Sequence, residues 1–171
     1  DEGGFAPNLK TSEEVLDLII LSIERAGLIY LDDMSIALDC AASELFSEDS
    51  YKLTGENKKF SSDEMVFYMQ ALVDKYEIKS VEDPFDEKDW DAWKTFTKNN
   101  NDLQIVGDDI FVTQEKILRK GIDSKVANSI LVKLNQVGTL SETMQAISLA
   151  KNSGYKTVIS HRSGETEDSF I

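Results

Sequence analysis

Residues 78–109 read IKSVEDPFDEKDWDAWKTFTKNNNDLQIVGDD and contain one complete unit of the fold. They predict a short apolar strand over Ile78–Glu82, which ends at Asp83-Pro84 because proline cannot donate to a central sheet. A helical pattern follows around Asp86–Asn99, and a second short strand covers Leu103–Val106. A strand, a helix and a strand in this order predict two parallel strands joined by a crossover helix.

The same alternation continues on both sides of this unit. Three more strands are predicted, over Ser35–Asp39, Ser129–Asn135 and Tyr155–Ser160. Three helix starts carry the capping-box pattern of a Ser or Thr three residues before a Glu, namely Thr11 to Glu14, Ser61 to Glu64 and Thr139 to Glu142. Two further helices are predicted, over Thr113–Lys120 and from near Thr166. The polar stretch Ser43–Lys59 predicts a long excursion with a small hairpin.

Five strand-helix units predict an α/β fold with a parallel sheet and helices packed outside it. Right-handed crossovers allow either an open doubly wound sheet or a barrel. A complete (β/α)₈ barrel needs about 250 residues and eight strands, and this chain has 171 residues. We therefore expect a partial TIM-type barrel of about five consecutive units, with residues 1–171 forming one incomplete domain.

The net charge, the cysteine count and the length of the apolar runs limit the possible partners and location of the protein. The net charge is −14, which argues against nucleic acid and anionic membrane surfaces as partners, because both attract clustered Lys and Arg. The single cysteine, Cys40, excludes an intrachain disulfide and fits a reducing cytosol. No apolar run reaches the roughly 18 residues of a membrane span, and no secretory leader is visible. A cytoplasmic protein without a membrane span is expected.

Residues with catalytic character recur where the predicted strands end. In chain order they are Asp39, Glu82, Asp108, Lys133, His161 and Arg162. The spacing from one strand end to the next is 26, 25 and 28 residues after Glu82, which matches one strand-helix unit each time. Because the C-terminal ends of barrel strands surround one pocket, this spacing predicts a common active site.

The three acids at these strand ends, Asp39, Glu82 and Asp108, would repel one another without a cation. Mg²⁺ prefers oxygen ligands and keeps positions open for water and substrate, so a magnesium site is the favoured interpretation. The alternative is that each acid caps a helix or forms a surface ion pair.

The remaining strand-end residues suit an anionic substrate. Lys133 follows an apolar strand, and a lysine beside Mg²⁺ can have its pKa depressed and act as a base. The stretch His161-Arg162-Ser163-Gly164 offers a guanidinium and backbone N–H groups to a phosphate or carboxylate. The alternatives are a solvent-exposed lysine and a packing histidine. Cys40 is expected to be an inert thiol, and Trp90 and Trp93 are expected to pack a helix against the sheet.

Six strings in this chain resemble the enolase family. They are DEGGFAPN (1–8), ALDCAASE (37–44), SVEDPF (80–85), VGDD (106–109), LVKLNQVGT (131–139) and SHRSGETED (160–168). They occur in the family's order and extend from the first residue to the last. The final string separates enolase itself from other members of its wider superfamily.

The resemblance implies a glycolytic lyase that dehydrates 2-phosphoglycerate to phosphoenolpyruvate through a Mg²⁺-stabilised ene-diolate, a pattern known for this superfamily. Asp39, Glu82 and Asp108 would bind Mg²⁺, with Glu82 and Asp108 also facing the substrate, and Asp109 would support them. The remaining implied roles are Glu2 as general acid, Lys133 as the base, and His161, Arg162 and Ser163 as substrate ligands.

The resemblance also implies what this segment lacks. The family's N-terminal α+β domain and the ends of the barrel are expected outside residues 1–171, so the segment alone is expected to have little turnover, whereas the full-length protein is expected to form a homo-oligomer. A cell-surface pool is known for the family, and a non-catalytic protein-binding module remains the alternative function. An open barrel segment is expected to expose edge strands and an apolar flank and to self-associate.

Overall fold

A computed structural model of the chain describes residues 4–162, 167 and 169–171. Six α-helices are found in that part of the chain: α1 (Ser12–Arg25), α2 (Ser62–Tyr76), α3 (Trp90–Asn99), α4 (Glu115–Ser124), α5 (Leu134–Val137) and α6 (Leu140–Asn152). The eight strands are β1 (Ala37–Asp39), β2 (Phe46–Ser47), β3 (Ser50–Leu53), β4 (Lys58–Phe60), β5 (Ser80–Glu82), β6 (Gln104–Gly107), β7 (Ser129–Val132) and β8 (Lys156–Ile159).

Five of these strands form one parallel sheet in the order β1-β5-β6-β7-β8. Neighbours in the sheet are joined by crossover helices, since α2, α3, α4 and α6 each lie between two consecutive strands in the sequence. Within the described residues the sheet does not close, and β1 and β8 are its edges. The expectation of a partial barrel with about five strand-helix units is therefore confirmed.

The excursion between β1 and α2 contains a small second sheet. Strands β2, β3 and β4 pair antiparallel in that order, so the expected hairpin gains a third strand. Tyr51 of β3 is fully buried and joins this sheet to the main core, because its ring lies against Phe46 and Phe85. Phe85 in turn makes edge-on contacts with Trp93 and Phe96 of α3.

Several predicted element bounds need correction: the helix predicted around Asp86–Asn99 begins at Trp90, after its N-cap Asp89, and two further corrections lie beside the predicted site. Residues 133–135 do not extend β7, because α5 begins at Leu134, directly after Lys133. Helix α4 begins at Glu115 rather than Thr113, because Val112 and Thr113 have left-handed backbone angles (φ 44° and 56°). The helix predicted from near Thr166 begins outside the described residues.

The predicted helix caps are present, but only one is a reciprocal capping box. The Thr11, Ser61 and Thr139 hydroxyls each accept the backbone N–H three residues later. The second hydrogen bond of a capping box forms only at α2, where the Glu64 carboxylate accepts the Ser61 N–H at 2.8 Å. In α1 the Glu14 carboxylate instead accepts the N–H of Lys10.

Side-chain amide and hydroxyl groups form hydrogen bonds with the backbone at the N-terminal ends of the central strands. The Asn128 side chain accepts the Ile105 N–H at 2.8 Å and donates to the Leu103 carbonyl at 2.7 Å. The Thr97 hydroxyl accepts the Ala127 N–H at 2.9 Å. These contacts join α3, β6 and the start of β7 at the end of the sheet opposite the predicted site.

An apolar flank is exposed beside β1, as expected for an incomplete barrel. A groove of about 410 Å³ runs between α1, β1 and the small sheet and is lined mainly by aliphatic side chains: Val15, Leu16, Ile19, Leu38, Leu45, Leu53, Met69 and Leu72. Aliphatic side chains of α1 are also well exposed to solvent, among them Val15, Leu18, Ile19 and Leu21. Self-association through this flank remains a prediction. No helix in the described part of the chain is both long and apolar enough to cross a bilayer.

Glu56 ties the excursion to α1 and α2. Its carboxylate accepts hydrogen bonds from the Ser12 backbone and hydroxyl, the Tyr68 hydroxyl and the Lys58 ammonium, at 2.6–2.8 Å. The Glu56 side chain is only 6% exposed. Burial alone would raise its pKa, but the hydrogen bonds from Lys58, Ser12 and Tyr68 outweigh burial and lower the pKa to about 2.

We expect Glu56→Gln to lower the free energy of unfolding by about 2 kcal/mol at neutral pH, because bonds to a charged acceptor are lost. Because the pKa of Glu56 is lowered from 4.5 to about 2 on folding, its stabilisation is complete above about pH 4.5 and disappears as the pH falls towards 2. Urea denaturation across this range measures the difference, with Glu44→Gln, at an exposed glutamate, as the control. A difference that does not change with pH would contradict this explanation.

Candidate active site

The strand register brings four predicted residues to one end of the sheet. Asp39 and Glu82 are paired neighbours on β1 and β5, and Glu82 pairs with Val106 on β6. Asp108 follows Val106 by two residues, and Lys133 directly follows β7. The Lys133 Nζ lies 2.5 Å from Asp108 Oδ2, so the residues that directly follow β6 and β7 form an ion pair.

The acids at this end are close enough to affect one another's ionisation. The pKa of Glu82 is raised to about 7, first because the side chain is partly buried and then because the negative charges of Asp39, Asp108 and Asp83 repel a further charge. The positive charge of Lys133 opposes these effects only in part. A carboxyl group with this pKa marks a crowded acidic site that an added cation would relieve.

Lys133 is largely enclosed, with 18% of its side chain exposed. Burial acts to lower its pKa, but the hydrogen bond to Asp108 and the charges of Asp108, Glu82 and Asp109 outweigh burial and raise it. The physical reason is that the acids surrounding Lys133 stabilise its ammonium form. The depressed pKa expected from the sequence applies to a lysine beside Mg²⁺ and stays a prediction.

One oxygen of Asp108 has no partner. Oδ2 accepts the bond from Lys133, whereas Oδ1 is buried and has no hydrogen-bond partner, and it is the only such side-chain atom in the described residues. Leaving a buried acceptor unpaired costs about 1–3 kcal/mol, more for a charged group. The carboxylates of Asp83, Asp108 and Asp109 also offer oxygens within 4.8 Å of one another. A buried, unpaired oxygen among other carboxylates fits a hard cation such as Mg²⁺.

Asp83 was not identified from the sequence as a functional residue, yet it organises the site. Its two carboxylate oxygens accept the backbone N–H groups of Asp108 and Asp109, both at 2.9 Å. The Asp83 side chain is buried, its backbone is left-handed (φ 42°), and its own carbonyl accepts the Ala42 N–H. Burial raises its pKa to about 7, although the two backbone N–H bonds oppose this. A second acid immediately after the strand-end Glu82 was the available sequence signal.

The metal ligands expected from the sequence are not the same three acids whose oxygens lie close together in the structure. The sequence predicts Asp39, Glu82 and Asp108, whereas among the described residues the acids with mutually close oxygens are Asp83, Asp108 and Asp109. Both Asp83 oxygens already accept a backbone N–H, which identifies Asp83 as a support for the loop that carries Asp108 and Asp109. Asp39 is exposed, and one of its oxygens accepts the Ala41 N–H at 3.2 Å. Asp108 belongs to both groups.

The residues after β8 reach the same end of the sheet. His161 is half-buried and Arg162 is exposed, and both lie just after β8. Ser160, between β8 and His161, donates its N–H to the Val132 carbonyl, which keeps this segment beside the end of β7. Glu2 and Ser163, the expected general acid and a substrate ligand, lie outside the described residues. The Cys40 thiol beside Asp39 has its pKa raised to about 12, by burial first and then by the negative charges of Asp39, Asp83 and Glu82, which agrees with an inert thiol.

The loop 108–113 connects the two members of the ion pair. The Phe111 and Val112 N–H groups donate to the Asp108 carbonyl at 3.0 and 2.7 Å. Val112 and Thr113 both have positive φ, which costs a β-branched residue about 1–3 kcal/mol. Thr113 is fully buried, and its hydroxyl accepts the Lys133 N–H at 2.9 Å. Sequence reasoning missed this contact.

A close-packed ring holds the middle of this loop. Phe111 is fully buried against two glycines, Gly107 of β6 and Gly121 of α4. A Cβ atom at either position would lie 2.4–2.6 Å from the Phe111 ring, closer than carbon atoms approach in proteins. The glycines are therefore required so that the ring can fill the space between β6 and α4 and fix the path of the loop.

Comparisons with known proteins agree with this architecture. Residues 1–171 match the family model described as "Enolase, C-terminal TIM barrel domain". Enolases from the Legionella pneumophila strains Corby and Paris are each 55% identical to the chain over 172 aligned positions, and the enolase of strain Lens is 54% identical. Each alignment covers 100% of this chain and 41% of the relative, so the chain spans about two fifths of the relatives' length. With a match over its entire length and strand ends that carry the acids and the lysine, the chain belongs to the enolase family.

Proposed function

We propose that this segment supplies the magnesium ligands and the base of a lyase that converts 2-phosphoglycerate to phosphoenolpyruvate. The observation that carries the proposal is the 2.5 Å contact between Lys133 and the buried Asp108, whose second oxygen has no partner. A general base next to a cation site is the arrangement needed to remove a weakly acidic proton adjacent to a carboxylate.

Asp39, Glu82 and Asp108 would hold the cation, and Asp109 would support them. The all-oxygen donor set favours Mg²⁺ over softer metals. The raised pKa of Glu82 indicates that the crowded acids would gain from an added positive charge. When bound, Mg²⁺ would supply the positive charge that offsets repulsion among the acids and stabilises the negative charge that develops on the substrate carboxylate. Asp83 keeps Asp108 and Asp109 in place through their backbone N–H groups.

Lys133, in the neutral form that added positive charge among the acids would favour, takes the proton from C2 of the substrate, while Glu82 and Asp108 face the reacting carboxylate. The electron pair of the broken C2–H bond stays on the substrate, which increases the negative charge on the carboxylate oxygens. In the second step the C3–O bond breaks, Glu2 gives a proton to the departing hydroxyl, and the C2=C3 double bond forms as water leaves. The enclosure of Lys133 supports its role, because a base shielded from solvent keeps a defined position.

The residues after β8 bind the anionic end of the substrate. Arg162 offers a guanidinium fork to the phosphate, and Ser163 offers a further donor, while His161 lies beside the substrate. These assignments rest on the family resemblance and on the position of His161 and Arg162 directly after β8. The same resemblance supports a homo-oligomeric full-length enzyme, and the single inert cysteine supports a cytoplasmic location.

Turnover should need more than residues 1–171, because the chain spans only 41% of its relatives. We expect a full-length protein that contains this segment to form phosphoenolpyruvate at millimolar Mg²⁺, to lose activity with a chelator and to regain it when Mg²⁺ is restored. The 171-residue chain alone should show little or no activity in the same absorbance assay. Inactivity of the full-length protein would refute the lyase assignment. Robust activity of the segment alone would show that the parts of the full-length protein outside residues 1–171 are not needed for turnover.

A further inference from the structure

The loop 108–113 contacts Lys133 at both of its ends. Its first residue, Asp108, accepts the bond from the Lys133 Nζ at 2.5 Å. Its last residue, Thr113, accepts the bond from the Lys133 backbone N–H at 2.9 Å. One short loop therefore fixes both the reactive end of this lysine and the point where its side chain leaves the sheet.

The Thr113 hydroxyl is well suited to hold a backbone group in one position. The residue is fully buried, so water does not compete for the hydroxyl. The hydroxyl proton has two acceptors within range, Gln136 Oε1 at 3.1 Å and the Leu131 carbonyl at 3.4 Å. With its proton directed to these acceptors, the oxygen keeps a lone pair for the Lys133 N–H.

The backbone is strained where Thr113 makes this contact. Val112 and Thr113 are both β-branched and both have positive φ, a combination that side chains of this shape strongly disfavour. The buried ring of Phe111 fixes the preceding residue, so the loop cannot relax without unpacking the space between β6 and α4. A disfavoured conformation that the surrounding packing enforces is often retained where a site needs it.

We propose that Thr113 is a positioning residue for the base Lys133. Its hydroxyl sets the backbone of Lys133 at the point where β7 ends, and thereby the direction in which the ammonium group reaches the acids and the substrate. This inference rests on the proposed function of Lys133. A purely structural role for Thr113 would instead consist of satisfying one buried N–H group at the end of a strand.

The test uses three variants of the full-length protein. Thr113→Val removes the hydroxyl and keeps the shape, and Thr113→Ser restores a hydroxyl. Thr97→Val is the matched control, because the Thr97 hydroxyl also accepts a backbone N–H at 2.9 Å, at the opposite end of the sheet. For Thr113→Val we expect kcat to fall about tenfold to hundredfold, since small misplacements of a reacting group have effects of this size. KM and the affinity for Mg²⁺ should stay within about twofold of the values for the unsubstituted protein. The affinity for Mg²⁺ should be kept because the substitution affects the backbone of Lys133 and leaves the acids in place.

A deuterium isotope effect and a structure separate positioning from stability. With substrate deuterated at C2, the isotope effect on kcat should rise in Thr113→Val, because proton removal becomes slower, and should be unchanged in Thr97→Val. Thr113→Ser should recover most of kcat. A crystal structure of metal-free Thr113→Val should show Lys133 displaced from Asp108. An unchanged Lys133 position, an unchanged isotope effect, or equal losses in the Thr113 and Thr97 variants would overturn the proposal.

These readouts also keep this inference separate from the proposed function. If the parent protein produces no phosphoenolpyruvate, the lyase assignment fails by itself. The metal-free structure of Thr113→Val would then still decide whether Thr113 positions Lys133 against Asp108. If the parent is active and the Thr113 variants behave like the control, the lyase assignment stands and only the positioning role is lost.

Discussion

Replacement of Lys133 by alanine in the full-length protein is expected to reduce kcat by about 10³-fold or more, which is the upper part of the range for removing a general base. Lys133 is the lysine that the described structure brings against the strand-end acids, through its 2.5 Å contact with Asp108. If Lys133 is the proposed base, loss of its amine leaves the C2 proton of the substrate without a base of defined position. The steady-state rate of phosphoenolpyruvate formation measures the effect.

Two comparisons show whether this loss is chemical. Lys133→Met keeps most of the side-chain bulk without the amine and should be as inactive as Lys133→Ala. Lys79→Ala removes an exposed lysine at the opposite end of the sheet and should leave kcat unchanged. Calorimetric Mg²⁺ affinity should be retained or increased in both Lys133 variants, because a competing positive charge is gone. A kcat within tenfold of the parent value in Lys133→Ala would exclude Lys133 as the base.

Asp108→Asn is expected to weaken Mg²⁺ binding on the order of 100-fold or more, because replacing even the neighbours of metal ligands costs 10–100-fold. The reason is the buried Oδ1 of Asp108, which has no hydrogen-bond partner and is the atom best placed to receive a cation. An amide in its place removes the negative charge and keeps the size. Isothermal titration with Mg²⁺ measures the loss directly, without an activity assay.

The same titration separates the two candidate ligand groups. If Asp39, Glu82 and Asp108 bind the cation, Asp39→Asn and Glu82→Gln should resemble Asp108→Asn. Asp83→Asn should then cost only about tenfold, as expected of a supporting residue that orients its neighbours. Asp102→Asn, at an exposed acid before β6, is the control. Full Mg²⁺ affinity in Asp39→Asn together with a hundredfold loss in Asp83→Asn would assign the metal to the other group.

The sequence was sufficient to predict the five strands of the main sheet and the functional residues near their C-terminal ends, although β7 ends at Val132 rather than Asn135. Alternating apolar strands and helices predicted the parallel sheet, and near-equal spacing placed Glu82, Asp108 and Lys133 at successive strand ends. That success has a physical cause, since parallel strands of similar length must present their C-terminal ends on one side. The same register brings the strand ends close enough for the ion pair between Asp108 and Lys133 that the structure contains.

Features that depend on backbone angles or on the sum of nearby charges were not predictable in this way. The left-handed conformation of Val112 and Thr113 opposes the preference of both residues, so a helix start at Thr113 was the natural expectation. The supporting role of Asp83 depends on two backbone N–H groups that only the folded loop brings to its carboxylate. The raised pKa of Lys133 depends on three surrounding acids, whose combined charge a pattern of residues does not give.

The side-chain bridges made by Asn128 and Thr97 lie at the N-terminal ends of the strands, away from every residue assigned to chemistry. We therefore expect these bridges to add to heat tolerance without touching the residues proposed for catalysis. A laboratory selection for survival at higher temperature should accumulate changes around these bridges without slowing the enzyme. Variants chosen for altered substrate preference should instead change the loops at the acidic end.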